Sequence, residues 1–244
     1  MQWRSDAFVL TSRRHGESSA IINVLSREEG RYAGLVRGGA GKNRRPIIEP
    51  GNRITATWRA RLEEHLGTFD CELVEAHAAR WLGDPLRLSA MSSALGVAAS
   101  ALPEREAHPP VFDGLAILLA SFEGDDWPSV YIKWEIGLLT ELGFGLDLSC
   151  CAATGQTDDL IYVSPKSGRA VSRNAGEPYM DKMLPLPAFL CESGRAGNTE
   201  EITDGLRLTG FFLDNQVYAV SGSDLPDARK RFFQRLRKSG RISG

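Results

Sequence analysis

The sequence predicts an α+β fold in which a small N-terminal β-barrel precedes a mainly α-helical C-terminal domain. Apolar residues alternate with polar ones in five short segments before residue 80, and from about residue 84 the apolar spacing becomes that of helices. A length of 244 residues suits two small domains better than one. We therefore expect domains at 1–80 and 81–244, the second with a small β-hairpin inserted at about 150–175.

The five predicted strands lie at 8–14, 19–26, 31–37, 53–61 and 66–73. The fourth has the clearest period of two, because Ile54, Ala56, Trp58 and Ala60 share one face while Arg53, Arg59, Arg61 and two threonines share the other. In the fifth, Gly67, Phe69, Cys71 and Leu73 share a face. Five short strands with a basic outer face are typical of an OB-fold barrel, but an SH3-like barrel gives a similar pattern.

The predicted helices begin at clear N-terminal signals. Asp84-Pro85 begins a helix that continues to Ala101, and Pro109-Pro110 begins a second. A third spans Trp127–Leu142, and Gly143 ends it. Two more are expected at about 206–220 and 228–238, the last with an apolar seam of Phe232, Phe233 and Leu236. We assign Trp127 and Trp134 to the core.

Charge is strongly segregated behind a net charge of −2. Residues 1–61 contain twelve Lys/Arg and five Asp/Glu, and residues 229–244 contain seven Lys/Arg and no acid, which leaves about −16 between them. Basic ends indicate nucleic acid as a ligand, and the acidic middle suits protein partners.

The most basic segment is the glycine-rich stretch Arg37–Pro46, which has four cations and no acid. Three glycines let it bend around a ligand, and the spread of its cations favours a polyanion over a single phosphate. It lacks the first glycine and the final Ser/Thr of a P-loop. A solvated loop is the plainer alternative. The predicted nucleic-acid-binding residues are Arg37, Lys42, Arg44 and Arg45, then Arg14, Arg31, Arg53, Arg59 and Arg61 on the barrel, and Arg231 and Arg235 in the last helix. We expect these cations to neutralise phosphates, and we place Tyr32 in the core rather than against a base.

No catalytic constellation is evident. The four histidines are scattered, and His65, Cys71 and His77 suit a strand edge better than a metal site. A phosphate-handling enzyme built on the basic loop is the alternative that ATP hydrolysis would support. The four cysteines form no disulfide framework, and no signal peptide or membrane span is evident. We expect a cytoplasmic, nucleoid-associated protein without a cofactor.

Several segments resemble the RecO family of bacterial DNA repair and recombination mediators. They are Arg14-His-Gly-Glu-Ser-Ser-Ala-Ile-Ile22, Leu25–Gly38, Ile48-Glu-Pro50, Leu139–Cys151 and Tyr162–Ser172, in order along nearly the whole chain. The resemblance implies an OB-fold followed by a helical domain. It also implies binding of single- and double-stranded DNA, annealing of complementary strands, and loading of RecA with RecR and the single-strand-binding protein, whose C-terminal tail is a partner. A non-enzymatic adaptor with secondary DNA contact is the alternative, and Lys133 is a candidate contact for that tail.

The chain departs from the family at its zinc knuckle. Many relatives carry Cys-x-x-Cys after the long helix and further cysteines past the hairpin. Here Thr154 lies where the second cysteine of that motif would be, three residues after Cys151, and Ser172 lies where a later cysteine would be. A tetrahedral thiolate site needs four ligands. We therefore expect no zinc, and a hairpin held by packing.

Overall fold

The computed structural model describes residues 1–62, 64–192 and 194–240. The chain forms two compact units. The first contains residues 1–119 and 226–232, and the second contains residues 120–225 and the chain from Phe233. None of the described helices is both long and apolar enough to span a bilayer.

The first unit is built on a closed five-stranded barrel. Its strands are β1 (Gln2–His15), β2 (Ser19–Ser26), β3 (Gly30–Val36), β4 (Arg53–Arg59) and β5 (Thr68–Glu75). They are ordered β1-β2-β3-β5-β4, and β4 pairs back onto β1. The ring closes where Leu35 and Thr68 pair in parallel; the other pairings are antiparallel. This OB-like ring confirms the predicted barrel and decides against the SH3-like alternative.

β1 pairs with two neighbouring strands, which the closed ring requires. Residues 2–8 pair with β4 and residues 7–15 pair with β2, with a register shift between Val9 and Thr11. At the shift, Val9 accepts a hydrogen bond from Gly51 N at 2.8 Å and donates to Asn52 O at 3.0 Å. The predicted start at Phe8 was too late, because the preceding residues are polar apart from Trp3 and Ala7.

Aromatic side chains fill the barrel. Tyr32, Trp58 and Phe69 are buried, and Trp3 packs against them with ring centroids 5.1 Å from Tyr32 and 5.7 Å from Phe69. Tyr32 is therefore a core residue, as predicted. Phe69 and Cys71 also point inward. Leu73 pairs with the buried Ile54, just before a register shift at Val74, but is 44% exposed and so does not belong to the core.

The helices of the first unit are α1 (His77–Arg80), α2 (Pro85–Ala101) and α3 (Pro109–Ser121), whose last two residues lie beyond the unit boundary. The side chain of Asp84 caps α2 by accepting from the N–H groups of Leu86 and Arg87, both at 3.0 Å. Phe8 of the barrel packs on Phe112 of α3 with centroids 4.9 Å apart. Both predicted helix starts are confirmed.

The second unit combines helices with a small sheet. After α4 (Trp127–Glu141), β6 (Leu160–Val163), β7 (Ala170–Ser172) and β8 (Leu184–Pro185) pair in the order β7-β6-β8, so the predicted hairpin is present with a third strand that the proline-rich sequence concealed. Between β7 and β8 lie α5 (Arg173–Gly176) and a 3-10 turn at Glu177–Lys182, and a second 3-10 turn follows at Ala188–Leu190. Trp127 and Trp134 are buried, as predicted.

The next predicted helix begins earlier than expected. α6 (Thr199–Phe212) starts at a capping box formed by Asn198 and Glu201, continues as a π-helical segment, Leu213–Tyr218, and ends in α7 (Ala219–Ser221). Glu135 of α4 is fully buried and accepts hydrogen bonds from the hydroxyl groups of Tyr131, at 3.0 Å, and of Thr209, at 2.5 Å. The final helix, α8 (Asp227–Lys238), buries Phe232 and Leu236 fully, while Phe233 is half-buried.

We predict that Gly67→Ala destabilises the protein far more than Gly16→Ala. Both glycines have positive φ, +67° and +63°, so each alanine costs about 1 to 2 kcal/mol of backbone strain. A Cβ on Gly67 would also lie 2.4 Å from Nε1 of Trp58, whereas one on Gly16 meets nothing within 4 Å. Overpacking adds about 1 to 3 kcal/mol. Urea unfolding of the two variants measures the difference, and equal midpoints would contradict the packing argument.

Candidate nucleic-acid interface

The basic loop between β3 and β4 is folded into short turns and anchored at both ends. Ala40 N donates to Ser18 O at 2.9 Å, and Arg45 N donates to Gly41 O at 3.0 Å. Ile48 is buried in the barrel core, and the amide of Asn52 donates to Pro46 O at 2.8 Å. The backbone that carries the exposed cations of this loop is therefore held in a fixed place on the barrel.

Three predicted arginines meet in a cavity of about 250 Å³ on one side of the loop. It is lined by Arg37, Arg44, Thr57, Arg59, Thr68, Phe69 and Asp70. Arg44 Nη1 lies 2.8 Å from Oδ1 of Asp70, and Arg59 Nε donates to Gln2 Oε1 at 3.1 Å. We call this concavity the three-arginine cavity.

Two other predicted arginines line a larger cavity of about 380 Å³. Its walls are Ser12, Arg14, Ala20, Gly39, Ala40, Arg45, Glu49 and Pro50. Arg14 is tied to the β1–β2 turn, since its Nη2 donates to Glu17 O at 2.8 Å and its Nε to Gly16 O at 3.2 Å. We call it the Arg45–Glu49 cavity. Neighbouring residues 44 and 45 thus line different cavities.

Two of the predicted DNA-binding cations line neither cavity and form hydrogen bonds within the fold. Arg31 donates through Nε to Leu102 O at 2.8 Å and through Nη1 to Glu104 at 3.2 Å, and its side chain is only 16% exposed. Arg53 forms a bidentate pair with Asp6. Lys42 and Arg61 are exposed but line neither cavity. The alternation of polar and apolar residues, from which Arg31 and Arg53 were predicted to bind DNA, could not show these partners, because they are distant in the sequence.

Most cations of α8 are exposed, but Arg229 is buried. Arg231 and Arg235 are exposed, and the buried seam of Phe232 and Leu236 holds the helix in place. Basic side chains in its last turn also offset the negative end of the helix dipole, so this charge has a structural role as well.

Two carboxylates that were not predicted from the sequence also line the cavities. Asp70 lines the three-arginine cavity and Glu49 lines the Arg45–Glu49 cavity. Strand alternation carried a signal for Asp70, because it lies between the inward-facing Phe69 and Cys71 and pairs with Thr57, two residues before Arg59. No periodic signal marked Glu49, which lies in the irregular segment before β4.

In the described part of the barrel, no Phe, Tyr or Trp side chain is exposed, although His15 at the end of β1 is. Tyr32, Trp58 and Phe69 fill its interior, and Phe8 packs on α3. A single-strand-binding surface that recognises bases usually presents aromatic platforms on which they stack. This barrel offers charge and shape to a backbone, with little stacking.

Hydrogen bonds join Cys151 and Ser172 in the second unit. The buried Cys151 Sγ accepts from Ser172 N and Ser172 Oγ, both at 3.3 Å. Burial raises the pKa of the Cys151 thiol, but hydrogen bonds from Ser172, Thr154 and the backbone of Ala153 together lower that pKa to about 6. Among the described residues, no group of three or more His, Cys, Asp and Glu side chains could hold a metal ion. The absence of zinc stays a prediction.

Comparison with known proteins supplies the family. Residues 1–77 match the family model for the recombination protein O N terminal, and residues 82–223 match that for its C terminal. The chain belongs to the RecO family. Its relatives include the "DNA repair protein RecO" of Rhodospirillum centenum, 53% identical over the whole of this chain and 98% of the relative. The protein of the same name from Phenylobacterium zucineum is 47% identical over 99% of this chain and all of the relative.

Membership of the RecO family makes this chain a DNA repair and recombination protein, and the family is one of mediators rather than enzymes. The resemblance noted in the sequence is thereby confirmed. It leaves open which surfaces of the chain bind DNA.

We predict that the stabilising contribution of Cys151 depends on pH. Because the pKa of this thiol is lower in the folded protein than its ordinary value of 9.0, the stability that it supplies is fully present above about pH 9 and is lost as the pH falls through about 6. The loss of unfolding free energy in Cys151→Ala should therefore grow between pH 6 and pH 9. Ser172→Ala, which removes one donor, should reduce the pH dependence. A loss that stays constant from pH 6 to pH 9 would contradict the thiolate.

Proposed function

We propose that the protein is a recombination mediator that binds DNA strands through the basic loop and the two cavities beside it. The observation that carries the proposal is the convergence of five predicted cations on these cavities: Arg37, Arg44 and Arg59 on one, Arg14 and Arg45 on the other. Arginine recognises phosphate oxygens through several N–H donors at once. Binding of single and double strands follows, because both present the same phosphodiester backbone.

The barrel surface accounts for DNA binding that depends little on the base sequence. Its aromatic rings are inside, so binding depends mainly on the release of counterions from neutralised phosphates. Such binding is weak enough to be reversible and strong enough to concentrate strands. Annealing needs no nucleophile or general base, because it requires only that two strands be held close while their repulsion is screened.

A second cationic surface supports annealing. We propose that the barrel binds one strand and that α8, through Arg231 and Arg235, binds another. As in the family, the protein would act with RecR and with the tail of the single-strand-binding protein to load RecA onto coated DNA.

An adaptor with secondary DNA contact is the alternative. The second unit exposes Tyr179 and Met180 by 59% and 55%, which gives it apolar surface for a protein partner. Lys133, the candidate contact for an acidic tail, lies with Nζ 5.7 Å from the centre of the Phe189 ring and is exposed. Under this alternative, removing the barrel cations leaves partner binding and DNA affinity intact.

We predict that changing Arg37, Lys42, Arg44 and Arg45 to alanine weakens binding of single-stranded DNA and flattens its salt dependence. At about 0.7 per phosphate contact, four contacts account for a log–log slope change of about 3. Fluorescence anisotropy across a salt series measures both quantities.

A matched pair of double variants tests which part of the barrel surface binds DNA. Arg37→Ala with Arg59→Ala removes two side chains from the three-arginine cavity and should reduce the slope by about 1.4. Arg4→Ala with Arg13→Ala removes two exposed barrel arginines that line neither cavity and should change it little. If the two double variants behave alike, the cavities are not the DNA site. If the fourfold variant also binds like the native protein, the adaptor alternative is supported.

We predict that reversing charge in α8, Arg231→Glu with Arg235→Glu, slows annealing several-fold while the barrel still binds a single strand. Both side chains are exposed, so Phe232 and Leu236 keep the helix packed, which circular dichroism can verify. Annealing of fluorescent complementary strands is the measurement. An unchanged rate would rule out the second surface.

A further inference from the structure

The Arg45–Glu49 cavity differs in chemistry from the three-arginine cavity. In the latter, the carboxylate of Asp70 is already paired with Arg44 at 2.8 Å. In the former, Glu49 is exposed, and within the described residues its side chain forms no hydrogen bond or ion pair. An unneutralised carboxylate weakens phosphate binding beside Arg14 and Arg45 without preventing it, and its oxygens can accept from a ligand that carries N–H donors.

The guanidinium of Arg45, which lines the same cavity as Glu49, also has no hydrogen-bonding partner within the described residues. Both residues belong to one anchored segment: Arg45 N donates to Gly41 O, Ile48 between them is buried in the barrel, and Asn52 fixes Pro46 O. The lining of the cavity therefore contains a donor fork and an acceptor pair on a fixed backbone, and the same two residues also line a neighbouring cavity of about 580 Å³.

A ligand that matches both groups must carry acceptors on one edge and donors on another. Guanine does so, because its N7 and O6 accept from an arginine fork while its N1–H and N2–H₂ groups donate to a carboxylate. Thymine offers one N–H between two carbonyl oxygens, which a carboxylate repels. Adenine and cytosine each match only part of the set.

We propose that the Arg45–Glu49 cavity binds one guanine base of a single DNA strand, with Arg45 at N7 and O6 and Glu49 at N1–H and N2–H₂. The cavity of about 380 Å³ has room for a purine, and Ala20, Gly39 and Pro50 supply apolar walls. Arg14, held through Nε and Nη2, keeps Nη1 for the adjoining phosphate. The proposal rests on DNA binding by the barrel and adds a base preference at one nucleotide.

The restriction to single strands follows from the edges used. In a duplex, N1–H and N2–H₂ of guanine are paired with cytosine and cannot reach Glu49. The cavity thus favours an unpaired guanine and releases it when a complementary strand pairs with it.

The test compares fifteen-residue oligothymidine carrying one central guanine with plain oligothymidine, by anisotropy at fixed salt. The native protein should bind the guanine strand roughly fivefold or more tightly, as expected for one bidentate base contact. Inosine, which lacks the N2 amino group, should lose part of the gain at Glu49, and 7-deazaguanine, which lacks N7, should lose part at Arg45. Glu49→Gln should remove the preference for guanine over inosine.

Glu17→Gln is the matched control, because Glu17 is exposed on the same barrel and its side chain does not line the cavity. It should keep the full guanine preference. If Glu49→Gln instead raises affinity for both strands equally, the carboxylate only repels DNA and the proposal is wrong. Equal native affinities for the two strands also overturn it. Failure of the DNA-binding function itself would show separately, as a salt slope insensitive to Arg37→Ala with Arg59→Ala.

Discussion

The packing of four aromatic side chains inside a barrel of only five strands is the constraint on which the first unit depends. Trp3, Tyr32, Trp58 and Phe69 occupy the interior, with the rings of Tyr32 and Trp58 5.2 Å apart. Rings of this size leave no room for a side chain at Gly34, where a Cβ would lie 2.5 Å from Phe69, or at Gly67. Because Gly67 O accepts from Leu35 N at 3.1 Å beside the parallel pairing of Leu35 and Thr68, the same packing closes the ring.

That use of the aromatic residues determines what the surface can do. With its rings inside, the barrel presents guanidinium groups, hydroxyl groups and two carboxylates to a ligand. Phosphate contacts give affinity without reading sequence. The two carboxylates modify this picture in different ways, since Asp70 holds Arg44 in place and Glu49 is available to a base edge. Reversible binding of strands, as we propose for this surface, would suit a mediator.

The second unit surrounds a buried thiol with polar contacts. Ser172, Thr154 and backbone N–H groups surround the Cys151 sulfur and stabilise its thiolate form, where relatives with a knuckle are expected to use further cysteines. Elsewhere in this unit the buried carboxylate of Glu135 accepts from the hydroxyl groups of Tyr131 and Thr209, which joins α4 to α6. Hydrogen-bonded polar groups of this kind are costly to leave unpaired, so they specify one arrangement of the helices.

The sequence by itself determined the elements whose signals are local. The period of two over residues 53–59, the Asp84-Pro85 helix start and the apolar face of residues 127–142 depend only on neighbouring residues, and the structure confirms each. Charge segregation is also readable from the sequence, and the DNA-binding surface inferred from it stays a prediction. Tertiary structure alone decided which cations are available, because Asp6 and Glu104, the partners of Arg53 and Arg31, are 47 and 73 residues away along the chain. It also separated Arg44 from Arg45 and placed Glu49 opposite Ser12 and Arg14, since cavities form where distant segments meet and no local pattern encodes their meeting.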